Sequence, residues 1–215
     1  MIRAAAVCPH PPLLVPEVAP GTVDELRELR AACADAVARL LAAGPQRIVV
    51  IGSGDLDHDV DETAGGTLAG FGVDVRAGGA ELVLPLSLTI GAWLLDDAGW
   101  TGPRTYSTGR PQIVDGVALL VMADGSTARS EKAPGHLDDR AESFDAAIAS
   151  ALASGDADAL IGLDPALGTE LGSTGVPALR ALGELTSGAS VTAHLRYDGA
   201  PLGVGYLVAD WMLTA

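Results

Sequence analysis

His10 is the residue of this sequence whose surroundings most strongly suggest chemistry. It follows a short apolar run, Ile2–Val7, and stands between Pro9 and Pro11. Proline fixes its own φ and disfavours helix at the preceding residue, so we expect His10 in a stiff, extended loop. In α/β folds, the loop at the carboxyl end of a strand is where ligands bind. His10 is therefore a candidate metal ligand or proton carrier, the alternative being a histidine that only caps a proline-rich turn.

Further polar residues follow two more apolar runs that we expect to be strands parallel to the first. They are Asp55, Asp57 and His58 after Arg47–Ile51, and Asp124 and Ser126 after Val117–Met122. Neighbouring parallel strands present their carboxyl ends to one shared crevice. Histidine together with carboxylates is a ligand set for Fe(II), Mn(II) or Zn(II). We take His10, His58, Asp55 and Glu170 as metal-ligand candidates, and Asp57, Asp124 and Ser126 as pocket candidates.

Three other sites fit the sequence less well. A calcium loop counted from Asp55 would need glycine at position six and glutamate at position twelve, where this chain has Val60 and Gly66. Gly52–Gly54 lacks the third glycine and the lysine of phosphate-binding loops. Ser126 lacks the G-x-S-x-G context of a nucleophilic serine. For residues 55–61, a solvated acidic loop is therefore a better interpretation than a calcium site.

The pattern of apolar residues predicts one α/β domain over residues 1–215, with a mixed, mostly parallel central sheet, helices on both faces and a C-terminal β-hairpin. Thr22 and Glu25 match a capping box before a helix that ends at Gly44-Pro45. We expect further helices at 86–100, 140–153, 156–162, 164–171 and 176–186. Weaker strands are expected at 73–76 and 82–84, and the hairpin strands at 189–197 and 203–212.

Composition excludes several classes of function. The net charge of −15 argues against nucleic acid or an anionic membrane surface as a partner. No apolar run approaches the roughly 18 residues of a membrane-spanning helix. Cys8 and Cys33 are too few for a disulfide framework or a thiolate zinc site, and we expect both to be structural. These features favour a cytoplasmic protein.

The segment Cys8-Pro9-His10-Pro11-Pro12-Leu13-Leu14-Val15-Pro16-Glu17 resembles the opening of class III extradiol ring-cleavage dioxygenases and of their Memo-like relatives. Residues 48–54 and the block Asp124–Phe144, which includes Lys132-Ala133-Pro134-Gly135-His136, extend the resemblance. Ala200-Pro201-Leu202-Gly203-Val204-Gly205-Tyr206 extends it to the C-terminus. It covers most of the chain in order, although each motif is short.

The resemblance implies a non-haem Fe(II) site at the strand ends that binds a catecholic substrate and O₂. His10 matches the first ligand, His58 or Asp55 lies near the second, and Glu170 matches the carboxylate ligand loosely. The family's acid–base histidine corresponds to Ala128, which departs from the pattern. Zn(II), Mn(II) or no metal stay open. Some relatives need a second, different polypeptide, so a partner of that kind or a homo-oligomer is also open.

Three functional hypotheses follow. The first is an extradiol dioxygenase-like oxidoreductase, with its ring-cleaving activity put in question by Ala128. The second is a non-catalytic member of the same fold that binds a small molecule or a protein. The third is a metal-dependent hydrolase.

Overall fold

The structure is a computed structural model that describes residues 1–22 and 26–214. The elements in this part of the chain are β1 (Ile2–Cys8), α1 (Arg27–Ala42), β2 (Arg47–Ile51), β3 (Val60–Asp61), β4 (Ala64–Thr67), β5 (Arg76–Gly78), β6 (Glu81–Leu82), α2 (Leu86–Asp97), β7 (Arg104–Ser107), β8 (Val117–Met122), α3 (Ala141–Ser154), α4 (Ala157–Ile161), α5 (Pro165–Glu170), α6 (Val176–Thr186), β9 (Ser190–Gly199) and β10 (Tyr206–Thr214). Short 3-10 turns lie at Pro12–Leu14, Pro20–Thr22 and Ala69–Phe71.

The main sheet has seven strands in the order β3-β7-β2-β8-β1-β10-β9. Its centre is the parallel set β7, β2, β8 and β1. The flanking strands are antiparallel, and β9 and β10 form the C-terminal hairpin. The expected α/β fold with a mixed central sheet and a terminal hairpin is confirmed. Since β1 pairs with both β8 and β10, the two ends of the chain belong to one sheet.

Helices cover both faces of this sheet, as expected. Alternate strand residues point to opposite sides, so Ile48 and Val50 pack in one core with α1 and α2. Val49 and Ile51 pack in the other core, with α3, α4 and α6. The continuous apolar runs of β2 and β8 are buried because both of their faces are covered.

Two parts of the sheet architecture were not expected. The first is β7, which was missed because it begins with a charged residue, Arg104, and does not form an apolar run. The Arg104 guanidinium is buried against Asp96 and the Trp100 carbonyl. The second is a small sheet in the order β5-β4-β6. Its glycines allow close backbone contact, since a Cβ at Gly65 would lie 1.9 Å from the Gly79 oxygen. The strands expected at 73–76 and 82–84 are accordingly displaced to β5 and β6.

The helices agree with the sequence pattern more closely. Helices α3 to α6 begin and end within a few residues of the expected positions. Helix α1 begins at Arg27, after Leu26, which makes no side-chain cap. Glu25, half of the expected capping box, lies outside the described residues. No helix in the described ranges is long and apolar enough to cross a membrane.

Candidate functional site

The carboxyl ends of β1 and β8 bring His10 and Asp124 together. These strands are parallel neighbours with Cys8 opposite Met122, so the residues that follow leave the sheet side by side. The His10 backbone N–H donates to Asp124 Oδ1 at 2.8 Å, and His10 Nε2 lies 3.5 Å from Asp124 Oδ2. The expectation that these two strand ends share an edge is therefore confirmed.

His10 is buried, and the Asp124 side chain is partly exposed. The His10 residue is 6% exposed, and its ring Nδ1 has no hydrogen-bond partner in the part of the chain that the structure describes. Burial raises the pKa of the Asp124 carboxyl, and the interactions with His10 work in the opposite direction. Burial also raises the pKa of the neighbouring Tyr206 hydroxyl, and the charge of Asp124 raises this pKa further. The edge therefore holds one histidine nitrogen with unused hydrogen-bonding capacity.

Ser126 has a structural role instead of lining a pocket. It is completely buried, and both its backbone N–H and its hydroxyl donate to the Asp145 carboxylate, at 2.7 and 2.8 Å. Arg129 donates to the same carboxylate at 3.1 Å. Asp145, which the sequence did not single out, thus fixes the loop after β8 to helix α3.

The loop after β2 lies apart from the buried pair. Asp55, Asp57 and His58 are all exposed. His58 lines a depression of about 370 Å³ together with Asp61 and Thr105, among others. Asp61 in turn accepts hydrogen bonds from the Thr63 N–H and hydroxyl, which lower its pKa.

Glu170 is also exposed and takes part in a surface ion pair. Its carboxylate accepts from Arg140 at 2.7 Å. Arg140 also contacts Asp138, whose pKa it lowers to about 2. The Glu170 carboxylate is thus engaged in an ion pair at the surface.

The described residues do not fit the three-ligand Fe(II) site that the family resemblance implies. Across residues 1–22 and 26–214, no three His, Cys, Asp or Glu side chains are close enough to hold a metal ion. His10 and Asp124 offer two donors. Ala128, at the position of the family's acid–base histidine, is 2% exposed and packs in the core around α3. A methyl group carries no proton for acid–base catalysis.

A cavity of about 640 Å³ lies between α1 and α2, outside the residues singled out above. Its wall is mainly apolar, with Leu14, Pro16, Ala34, Ala38, Trp93 and Leu94 among its residues. The sequence held one signal for it, because exposed alanines at 31, 34 and 38 recur at helical spacing on α1. Such a pattern on an outer helix face leaves an apolar surface without covering side chains.

The cavity and the strand-end pair are joined by one segment of chain. Leu14 and Pro16, in the cavity wall, follow His10 in the β1–α1 loop. Cys33, also in the wall, interacts with Cys8 at the end of β1. That interaction and burial raise the pKa of the Cys33 thiol, which keeps it protonated. Both cysteines are buried and free, as expected for structural thiols.

Comparison with known proteins places the fold. No family model and no curated protein matches the sequence. The structure is similar to the crystal structure of an uncharacterized protein from Escherichia coli K12, with a TM-score of 0.50 and 13% sequence identity. The match covers 98% of this chain and 99% of that one. At this level of identity, the likeness shows the fold alone.

Proposed function

We propose that this chain is a non-catalytic, small-molecule-binding protein on the fold of the dioxygenases that its sequence resembles. The observation that carries the proposal is the cavity between α1 and α2. Its volume of about 640 Å³ falls in the range of ligand pockets, roughly 300–1,000 Å³. Its mainly apolar wall suits a small apolar compound.

The chemistry of the strand-end residues supports a binding role. Ala128 replaces the residue that would relay protons, and Ser126 is held by Asp145. His58 and Glu170 are exposed, and Glu170 is already paired with Arg140. Apart from His10 and Asp124, the residues that ring cleavage would use are therefore exposed, engaged elsewhere or replaced by an apolar one.

A neutral apolar probe tests this function. We expect 2-naphthamide to bind the wild-type protein saturably, with a stoichiometry of one, in isothermal titration calorimetry. Ala38→Trp should weaken that binding by about tenfold or more, because an indole at this position fills the space that the probe needs. Ala147→Trp is the matched control, since Ala147 is an exposed alanine of α3, on the other face of the sheet.

Either of two results would overturn the proposal. One is the absence of saturable binding by the wild-type protein. The other is equal weakening by both tryptophan variants, which would place the probe outside the cavity.

Ring cleavage is the second candidate, favoured by one observation. His10 Nδ1 is buried without a partner among the described residues, beside Asp124, at the edge where the resemblance implies a metal. Anaerobic loading with Fe(II), followed by metal analysis of wild type and His10→Ala, separates the two functions. A binding protein retains no stoichiometric iron and takes up no O₂ with a panel of catechols. Stoichiometric iron that is lost in the variant, with catechol-dependent O₂ uptake, would establish the dioxygenase.

We also propose a cytoplasmic location. The support is compositional, since the sequence has two cysteines, too few for the disulfide framework that is common in small secreted domains.

A further inference from the structure

We infer that the ligand of the α1–α2 cavity is an apolar carboxylic acid whose carboxylate binds Arg30. This inference rests on the proposed binding function and adds the chemical class of the ligand. It is carried by the charges of the cavity wall.

Arg30 brings a positive charge into the wall, and no carboxylate of the described residues forms an ion pair with it. Its Nε donates to the Leu14 carbonyl at 2.9 Å, and one terminal nitrogen donates to the Leu13 carbonyl at 2.7 Å. Within residues 1–22 and 26–214, no acidic side chain forms an ion pair with it, and its other terminal nitrogen makes no hydrogen bond. A half-buried guanidinium with free donors is a complementary partner for a carboxylate.

The two carbonyl contacts also hold the guanidinium in place. Arginine loses considerable rotamer freedom when it binds a ligand, and this cost falls when the side chain is already fixed. Leu13 and Leu14 belong to the loop after His10, so the same contacts fix that loop against α1. Arg30 is thus a pre-positioned anion contact at the edge of an apolar space.

The remaining wall favours a flat or flexible hydrocarbon. Trp93 is half-buried and offers an aromatic surface, and Leu94 and the α1 alanines complete the apolar lining. The other charged residue of the lining is Asp97, which is exposed and forms no ion pair in the described part of the chain. The Asp97 carboxylate would repel an anionic ligand, so the effect of replacing Asp97 on binding gives the inference a second, independent test.

The test compares 2-naphthoate with 2-naphthamide, which have the same ring and nearly the same shape but differ in charge. We expect wild-type protein to bind 2-naphthoate about tenfold more tightly in calorimetry, the size expected of a charge-assisted hydrogen bond. The preference should shrink at high salt. This comparison needs no variant, so it stands even if a substitution at Arg30 impairs folding.

Two variants locate the effect. Arg30→Gln should remove most of the preference for naphthoate, measured as the ratio of the naphthamide and naphthoate dissociation constants, because this ratio cancels any change of cavity shape that affects both probes. Asp97→Asn should increase the same ratio by about two- to fivefold, because it removes a like charge at an exposed position. Ala147→Trp serves again as the control outside the cavity.

The outcomes separate the inference from the function it rests on. Equal binding of the two probes, or tighter binding of naphthamide, overturns the carboxylate inference and leaves the binding function intact. Saturable binding of neither probe overturns both. A naphthoate preference that survives Arg30→Gln and ignores Asp97→Asn also overturns the inference, because the charge would then be recognised elsewhere.

Discussion

At the scale of single residues, His10 is fixed by contacts with Asp124 at the carboxyl edge of the sheet. Its backbone and ring both contact Asp124, and it is nearly fully buried. We expect His10→Ala to lower the free energy of unfolding by about 1–3 kcal/mol, through lost packing and a weakened contact with Asp124. Urea unfolding measures this. His58→Ala is the control, since an exposed histidine should change stability by less than about 0.5 kcal/mol. Equal effects of the two substitutions would contradict this view of His10.

We expect the replacement of Asp145 to lower stability more than the replacement of His10. Its carboxylate is 1% exposed and accepts from Ser126 and Arg129. Asp145→Ala should cost about 3–5 kcal/mol of unfolding free energy, because it leaves the Arg129 charge without its buried partner. Glu142→Ala, on the same helix and 3.7 Å from Arg129 but exposed, should cost less than about 1 kcal/mol. A loss below about 1 kcal/mol for Asp145→Ala would show that the loop does not depend on this carboxylate.

Asp124 gives the protein a predictable pH dependence. Burial raises its pKa in the folded state, so the folded protein binds this proton more readily than the unfolded chain. The stability gained in this way is present below the ordinary carboxyl pKa of roughly 4 and is lost as pH rises through the raised folded value. Asp124→Asn does not titrate, so its stability relative to wild type should increase from pH 4 to pH 8. Denaturant titrations across this range measure the difference. A difference that stays constant or decreases would contradict the raised pKa.

The sequence indicated some of these residues and missed others for a physical reason. His10 and Asp124 could be paired from the sequence because two parallel strands end just before them. Asp145 could not, since one buried aspartate on an amphipathic helix has the same sequence pattern as a solvated one. Its role depends on the three-dimensional position of Ser126 and Arg129.

At the scale of elements, α2 packs unusually close to the sheet through Gly91. A Cβ at this position would lie 2.6 Å from Val50 Cγ1 and 3.1 Å from Met122. Alanine favours a helix by about 1 kcal/mol over glycine, but overpacking a core typically costs about 1–3 kcal/mol. We therefore expect Gly91→Ala to destabilise the protein in thermal unfolding. A rise in the melting temperature would mean that α2 moves away from β2 and β8 at no cost.

The elements themselves differ in how far the sequence predicted them. The apolar runs of β2 and β8 were clear because strands buried on both faces consist mainly of apolar residues. The small sheet β4–β6 was not, since its strands are short and glycine-rich, and pairing of this kind depends on the rest of the fold. The hairpin β9–β10 was predictable from its alternation, although Asp198 and Gly199, which we expected in the turn, are paired residues of β9.

At the scale of the whole molecule, the β1–α1 loop connects the sheet edge at His10 to the apolar cavity between α1 and α2. The C-terminal hairpin is tied to the same layer, since buried Asp210 on β10 pairs with Arg39 on α1 and with Arg196 on β9. Because the net charge is −15, Arg30 in the cavity wall has the opposite sign to most charged residues of the protein. The sequence contained one signal for the cavity, the alanines of α1, but did not predict the cavity itself, because its volume depends on the spacing between two helices that are distant in the chain.

The proposed binding function is best tested by a ¹H–¹⁵N correlation spectrum recorded during titration with 2-naphthoate. A binding protein that uses the α1–α2 cavity predicts saturable shifts concentrated at Ala34, Ala38 and the Trp93 indole, with little change in α3. Shifts concentrated around His10 and Asp124 with the cavity unaffected, or no saturable shifts at all, would contradict it.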